Sequence, residues 1–212
     1  MIDKLSISQV QDMLIAVGTQ IISMEKRLND ADRMIGDGDH GAAMARGFSA
    51  LIKVMEKGDF ADLTALFIAA GNALIASVGG SAGIIFGTFF RSGGKALNNS
   101  KVLNADGFTH FLAEAIEAVQ HRGKAKPGDK TMLDALYAAL GAAQAAQGLP
   151  LGDFMQTVAD GAKKGMEKTG SMVAEAGRAK DYGEKSLGLL DPGAITTFTI
   201  IDEMSHFIDS EI

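Results

Sequence analysis

No cysteine occurs in the 212 residues, which excludes disulfides, thiolate metal sites and thiol nucleophiles. Tryptophan is missing as well, and proline appears only 3 times. Basic excess is also absent. Asp and Glu total 26 against 20 Lys and Arg, giving a net charge of −6 and a sequence pI near 5.2. Nucleic acid is therefore a poor candidate ligand, because phosphate contacts along a duplex need clustered cations. A small anion bridged by metal ions stays compatible with that balance. The N-terminal stretch has no basic region followed by an apolar run, so no secretory signal is read and a cytoplasmic protein is expected.

Between Asp62 and Arg91 no charged residue occurs, a run longer than the roughly 20 residues of a membrane span. Gly71, Asn72, Gly79, Gly80, Ser81 and Gly83 interrupt it, and GGSAG reads as a turn between two buried helices. No membrane insertion is expected.

What the chain does have is helical periodicity. Val10, Met13, Leu14, Val17, Ile21, Met24 and Leu28 recur at steps of three and four, with Ser8 and Gln11 spaced as a capping box at the start. That helix is expected to stop near Asn29 to Asp32. Further helical patterns cover about 42–57, 61–78, 83–97, 106–121, 129–147, 151–175 and 194–209. Strand-like alternation bounded by hairpin signals is not seen. Many Ala and 11 Met suit closely packed helices. The fold class is all-α, about eight antiparallel helices in an up-and-down barrel, forming one domain over residues 1–212.

Four loops are dense in Gly and Asp: MIGDGDHGAAM, SVGGSAG, RGKAKPGDKTM and GRAKDYGEKSLGLLDPGA. They precede the second, fourth, sixth and eighth helices, so an up-and-down array brings all four to one end. The first of them contains Asp32, Asp37 and Asp39 within eight residues. Clustered carboxylates repel one another unless a cation intervenes. Hard oxygen ligands without sulfur suit magnesium or calcium, and the glycines at 36, 38 and 41 let the backbone turn around an ion. A solvated acidic turn would need none of this.

Competing motifs fail on inspection. Counting an EF-hand from Asp37 puts Gly41 at the fifth position and Phe48 at the twelfth, so the bidentate Glu is lacking. GDGDHG matches G-x-G-x-x-G, yet a helix rather than a strand precedes it and two Asp would repel a pyrophosphate. Gly94 and Lys95 lack the Gly at 89 and the Ser or Thr at 96 of a Walker A loop. Metal-bridged phosphate binding remains, with the helix after Gly41 expected to aim free N–H groups at the anion and SVGGSAG offering a second cradle.

The motifs IGDGDHG, MARGF, SVGG with FGTFF, RGKAKPGDKTM and GRAKDYGEKSLGLLDPGA, in this order, resemble the nucleotide-binding L subunits of dihydroxyacetone kinases along most of the chain. The resemblance implies an eight-helix antiparallel barrel with the nucleotide at one end. It implies two magnesium ions held by Asp32, Asp37 and Asp39. It places His40, Gly41, Ala42 and Ala43 in the phosphate-contacting stretch, and Ser81 and Ala82 in the second phosphate loop. Gly123, Met132, Arg178, Asp191, Pro192 and Gly193 match positions around base, sugar or lid. Read from the residues alone, Met132 is core, Arg178 a solvated loop residue and Asp191-Pro192-Gly193 a plain turn. Ala43, Ala82 and Ile84 depart from the family's frequent Asn, Ser and Pro.

The implied activity is phosphoryl transfer through bound ADP or ATP to a keto-sugar held on a separate K-type subunit. GDGDHG resembles the branch coupled to the phosphotransferase system, in which a phosphohistidine protein recharges bound ADP. A homodimer is compatible with this role. Other expectations are an ATP-dependent kinase subunit for a keto-tetrose, a nucleotide-sensing regulatory module, or a structural bundle whose acidic loop is only a turn.

Overall fold

The computed structural model describes residues 2–211. Nine α-helices run through them: α1 (Ile7–Ser23), α2 (Glu25–Ile35), α3 (His40–Lys57), α4 (Leu63–Ser77), α5 (Gly80–Ala96), α6 (Ala105–Gly123), α7 (Met132–Ala145), α8 (Leu151–Lys168) and α9 (Pro192–Ser210). Helix α1 packs on α3, and from α3 to α9 each helix packs on the next; α9 returns to α1. Eight helices thus close a ring of up-and-down neighbours, the expected all-α barrel. The ninth, α2, lies outside the ring against α3 and α9.

Phenylalanines fill the interior. Phe48, Phe67, Phe89, Phe90, Phe108, Phe111 and Phe154 are all buried. Ring centroids of Phe67 and Phe89 lie 4.8 Å and 5.3 Å from that of Phe111. Each buried ring contributes about 2 kcal/mol through the apolar area it removes from water. Along the uncharged run, α4 and α5 meet at Gly71 and Gly87. A Cβ at Gly71 would stand 2.6 Å from the Gly87 carbonyl, so only glycine permits this approach. The turn at Val78–Gly79 separates the two helices, and no helix of the described residues is long and apolar enough to cross a membrane.

Helix starts follow local chemistry. Asp62 caps α4 by accepting from the Ala65 N–H at 2.8 Å, and Asn104 caps α6 from Gly107 at 2.9 Å. The capping box of α1 is Ser6 with Gln9, two residues before the expected Ser8 and Gln11. Residues Leu5 and Ser6 also pair antiparallel with Leu103 and Val102, a two-residue ladder that alternation could not reveal.

The expected first helix is two. Met24 (φ −85°, ψ 0°) breaks it, but its backbone stays close enough to helical for the apolar stripe to run on through Leu28. Its second part, α2, extends to Ile35 beyond the expected stop, which puts Asp32 on its last turn. Helix α8 ends at Lys168 rather than near 175, giving way to a 3-10 turn over Thr169–Ser171.

Candidate functional site

The loops between α2 and α3, α4 and α5, α6 and α7, and α8 and α9 meet at one end of the ring, around a cleft of about 440 Å³. One wall is acidic. Asp32, Asp37 and Asp39 each present a carboxylate oxygen within 4.8 Å of the others. Asp32 is locked by the loop itself, its Oδ2 accepting the N–H groups of Gly38 at 2.8 Å, Asp39 at 3.0 Å and His40 at 3.2 Å. Gly38 has φ +79°, the left-handed geometry this wrap requires. Gly41 lets α3 cross α2 closely, since a Cβ there would stand 2.1 Å from the Glu25 carbonyl oxygen.

The N-terminus of α3 is not the open anion cradle expected of it. The His40 N–H is taken by Asp32, and the Ala42 N–H donates to Asn29 Oδ1 at 3.1 Å. Their side-chain acceptors lie on α2, the helix the sequence reading ended too early. Helix α5 has the opposite character. Gly79 (φ +81°) supplies no side-chain cap, Gly80 has φ +57°, and a Cβ on either would meet nothing within 4 Å. The first-turn N–H groups of Gly80, Ser81 and Ala82 thus open toward the cleft. Arg46 of α3 lines the same wall and donates through a terminal guanidinium N–H to the Val78 carbonyl at 3.3 Å.

The opposite wall holds Lys130, Thr131 and Met132 with Asp191, Pro192 and Gly193. Asp191 caps α9, accepting from the Ala194 N–H at 2.7 Å. Burial raises its carboxyl to about 7, opposed by that N–H and by the positive charge of Lys130. His40 Nε2 bonds Thr196 Oγ1 at 2.9 Å, and burial lowers its imidazole to about 4, the neighbouring Asp32 charge acting the other way. The ring therefore stands neutral at pH 7 and tied to α9 through Nε2.

A strap, residues 172–188, crosses the mouth between these walls. On it, the Arg178 guanidinium forms an ion pair with the Asp37 carboxylate, and Tyr182 donates its hydroxyl to the Gly36 carbonyl at 3.1 Å. A second recess of about 360 Å³ opens beside the cleft, sharing Ser81, Thr131 and Met132. Ile84, Ile85, Val119 and Leu133 make it mainly apolar, with Arg122 and Gly123 at its edge.

Most of the residues singled out in the sequence converge here. Asp32, Asp37, Asp39, His40, Ala43, Ser81, Ala82, Met132, Arg178, Asp191, Pro192 and Gly193 all line the cleft. Gly123 lines only the second recess, whereas Gly41 and Ala42 line neither. Met132 is both core and wall, 6% exposed yet facing both spaces. Sequence reasoning quoted Arg46, Lys130, Thr131 and Gly177 within its motifs but gave them no place in the site, and it missed Ile85 and Ala176. The signals were there: Lys130 lies two residues before Met132, and Arg46 stands in the MARGF motif just after the acidic loop.

The donor set fits a hard divalent cation, being carboxylate oxygens alone, with the one nearby imidazole engaged elsewhere. An eight-helix ring carrying such a cleft at the ends of its helices defines an all-helical domain with a candidate metal-and-phosphate site at one end. The chain belongs to the DAK2 domain family, whose pattern matches residues 34–206. It is 36% identical over 187 residues to the ADP-binding subunit DhaL of PEP-dependent dihydroxyacetone kinase 1 of Listeria innocua, covering 88% of this chain and 89% of that protein. It is 31% identical over 203 residues to the ADP-binding subunit DhaL of the PEP-dependent dihydroxyacetone kinase of Escherichia coli, covering 95% and 97%. The crystal structure of the dihydroxyacetone kinase from C. freundii in complex with AMP-PNP and Mg2+ matches it with a TM-score of 0.73 at 25% identity. That alignment covers 97% of this chain and 35% of the other, so the chain spans about a third of that kinase.

Proposed function

We propose that this chain is the nucleotide-binding subunit of a dihydroxyacetone-type kinase, carrying ADP or ATP with two magnesium ions and passing a phosphoryl group to a keto-sugar held on a separate K-type subunit in the cytoplasm. The observation that carries the proposal is a pair of elements lining one cleft: three carboxylates within 4.8 Å of one another, and the open, glycine-led start of α5. Support also comes from relatives matched over nearly their whole length that are named ADP-binding subunits.

In phosphoryl transfer the protein mainly positions groups and offsets developing charge. Asp32, Asp37 and Asp39 hold the metal ions, with Asp32 pre-oriented by three backbone donors. Magnesium bound there supplies charge neutralisation for the attacking and leaving oxygens. The Gly80, Ser81 and Ala82 N–H groups orient phosphate oxygens, which need no hydroxyl at position 82. Ala43, buried at 8% exposure, contributes shape rather than a polar contact. Met132 and the apolar recess receive the base, with Gly123 at its rim. Arg178, paired with Asp37 in this structure, would be free to pair with the phosphates once a metal ion held that carboxylate. Pro192 and Gly193 close the floor behind Asp191. Recharging of bound ADP by a phosphohistidine protein and pairing into a homodimer complete the reading.

The test is calorimetric titration of ADP with and without magnesium, alongside mass analysis of small molecules released from the purified protein by heat. Magnesium-dependent binding, or ADP carried through purification, supports the assignment. A protein that binds no nucleotide at millimolar ADP and magnesium refutes it. Mixing with a K-type subunit and dihydroxyacetone then separates the roles, since the chain alone is expected to turn over almost no triose.

A further inference from the structure

Lys130 is the most enclosed cation among the described residues, 1% exposed, in the cleft it shares with the acidic loop. Its backbone is left-handed at φ +61°, a conformation that persists in a side-chain-bearing residue only where the surroundings over-determine it. The reason lies at the end of the side chain. Nζ donates to the Thr169 carbonyl at 2.6 Å and to the Leu189 carbonyl, 39 and 59 residues further along the chain. These two carbonyls flank the 172–188 strap. Its feet are also joined to each other, the Gly188 N–H donating to the Gly170 carbonyl at 2.7 Å and the Asp191 N–H to Thr169 Oγ1 at 3.1 Å. A third tie runs from the Glu175 N–H to the Asp129 carbonyl at 3.1 Å, next in sequence to Lys130. The far end of the strap is where Arg178 meets Asp37 and Tyr182 meets Gly36.

We propose that Lys130 is a positioning residue for phosphoryl transfer: its buried ammonium gathers both feet of the strap and so fixes where Arg178 stands over the acidic loop. The function so assigned rests on the cleft being the nucleotide site, although the geometry of the tie does not. An ammonium suits the task because it is compact and has three donors that can converge on carbonyls in different directions. Burial weakens its hold on the proton, and the charges of Asp191 and Asp134 counter this. A neutral isostere such as Met would leave both carbonyls without their donor inside the protein, so the strap is expected to lift rather than stay seated.

The test uses the full chain and pairs two readouts. Hydrogen exchange over residues 172–188 is followed without nucleotide in the wild type, K130M and K130R. Release of ADP in magnesium is followed in the same proteins and in R178A, K130M/R178A and K130R/R178A. K130R keeps the charge and the folded protein should K130M fail to fold, but its planar donors cannot meet both carbonyls as the ammonium does. Expected are loss of strap protection and release about tenfold faster in the Lys130 variants, equivalent to one lost hydrogen-bonded tie. R178A is expected to add little on top of either. Additive effects, or a strap that exchanges as slowly as in the wild type, overturn the proposal. A wild type that binds no ADP removes the nucleotide reading, while exchange alone still decides whether Lys130 holds the strap.

Discussion

Nε2 of His40 and Oγ1 of Thr196 lie 2.9 Å apart, joining the first turn of α3 to α9 across 156 residues of chain. Burial keeps this imidazole neutral down to about pH 4, while burial of Asp191 at the start of the same α9 keeps that carboxyl protonated up to about 7. The two groups act on stability with opposite signs. Below its ordinary value of 6.5, His40 takes a proton in the unfolded chain but not in the native one, so stability falls as pH drops toward 4. Asp191 holds a proton in the native state that the unfolded chain releases above 3.8, so its contribution is lost as pH rises toward 7. Between pH 4 and 6.5 the two slopes, each at most about 1.4 kcal/mol per pH unit, largely cancel. In the metal-free protein, His40→Asn should leave a stability that declines with rising pH across this window, and Asp191→Asn one that increases. Urea titrations at three pH values check this, and unchanged profiles in both variants would contradict the buried environments.

Asp37→Asn should separate binding from folding. Its pair with Arg178 is exposed on both sides, 67% and 47%, so losing it costs at most about 1 kcal/mol and shifts Tm by no more than about 4 °C. Removing one of three metal ligands should instead weaken ADP binding in magnesium by about tenfold or more, since changing even a group that only supports a ligand costs about 10–100-fold at metal sites. Calorimetry with the metal present and absent distinguishes the two losses, and an equal loss in both conditions would argue against Asp37 as a ligand.

Two glycines flank the site and fail differently. A methyl at Gly41 would stand 2.1 Å from the Glu25 carbonyl, where neither α2 nor α3 can yield without shifting backbone. Gly41→Ala should therefore destabilise by about 3 kcal/mol, read as a lower urea midpoint. Gly79→Ala meets nothing within 4 Å and carries only the cost of its φ of +81°, about 1 kcal/mol. That methyl points into the space where phosphate is expected, so ADP affinity should fall further than stability. A Gly79→Ala protein that binds ADP normally would place the phosphates elsewhere.

Arg46→Ala removes the donor to the Val78 carbonyl at the turn that leads into α5. Because that bond is long and the side chain exposed, the unfolding midpoint should move by less than about 1 kcal/mol. Affinity for ADP should drop severalfold while affinity for adenosine stays unchanged, as competition binding would reveal.

The ring of helices was legible because its signal is periodic. Val10 to Leu28 spelled one amphipathic face, and the break at Met24 escaped notice since a residue with φ −85° and ψ 0° barely disturbs the phase. The carboxylate cluster was equally open to reading, three Asp within eight positions having few places to go but together. What stayed hidden depended on distant partners. The N–H groups of α3 were expected to be free, and nothing in the local sequence shows that Asp32 and Asn29 would reach forward from α2 to take them. Nothing local marks the tie that Lys130 makes, because its acceptors are main-chain atoms at 169 and 189, and carbonyls carry no signature in a sequence.

That anonymity of the acceptors has an evolutionary side. A lysine gripping peptide oxygens makes no demand on which side chains those peptides bear, so Leu189 and the residues arching between the anchorage points can drift while the arch stays moored. New chemistry over the mouth of the cleft could then be sampled by mutation without renegotiating the attachment, provided position 130 itself stays put.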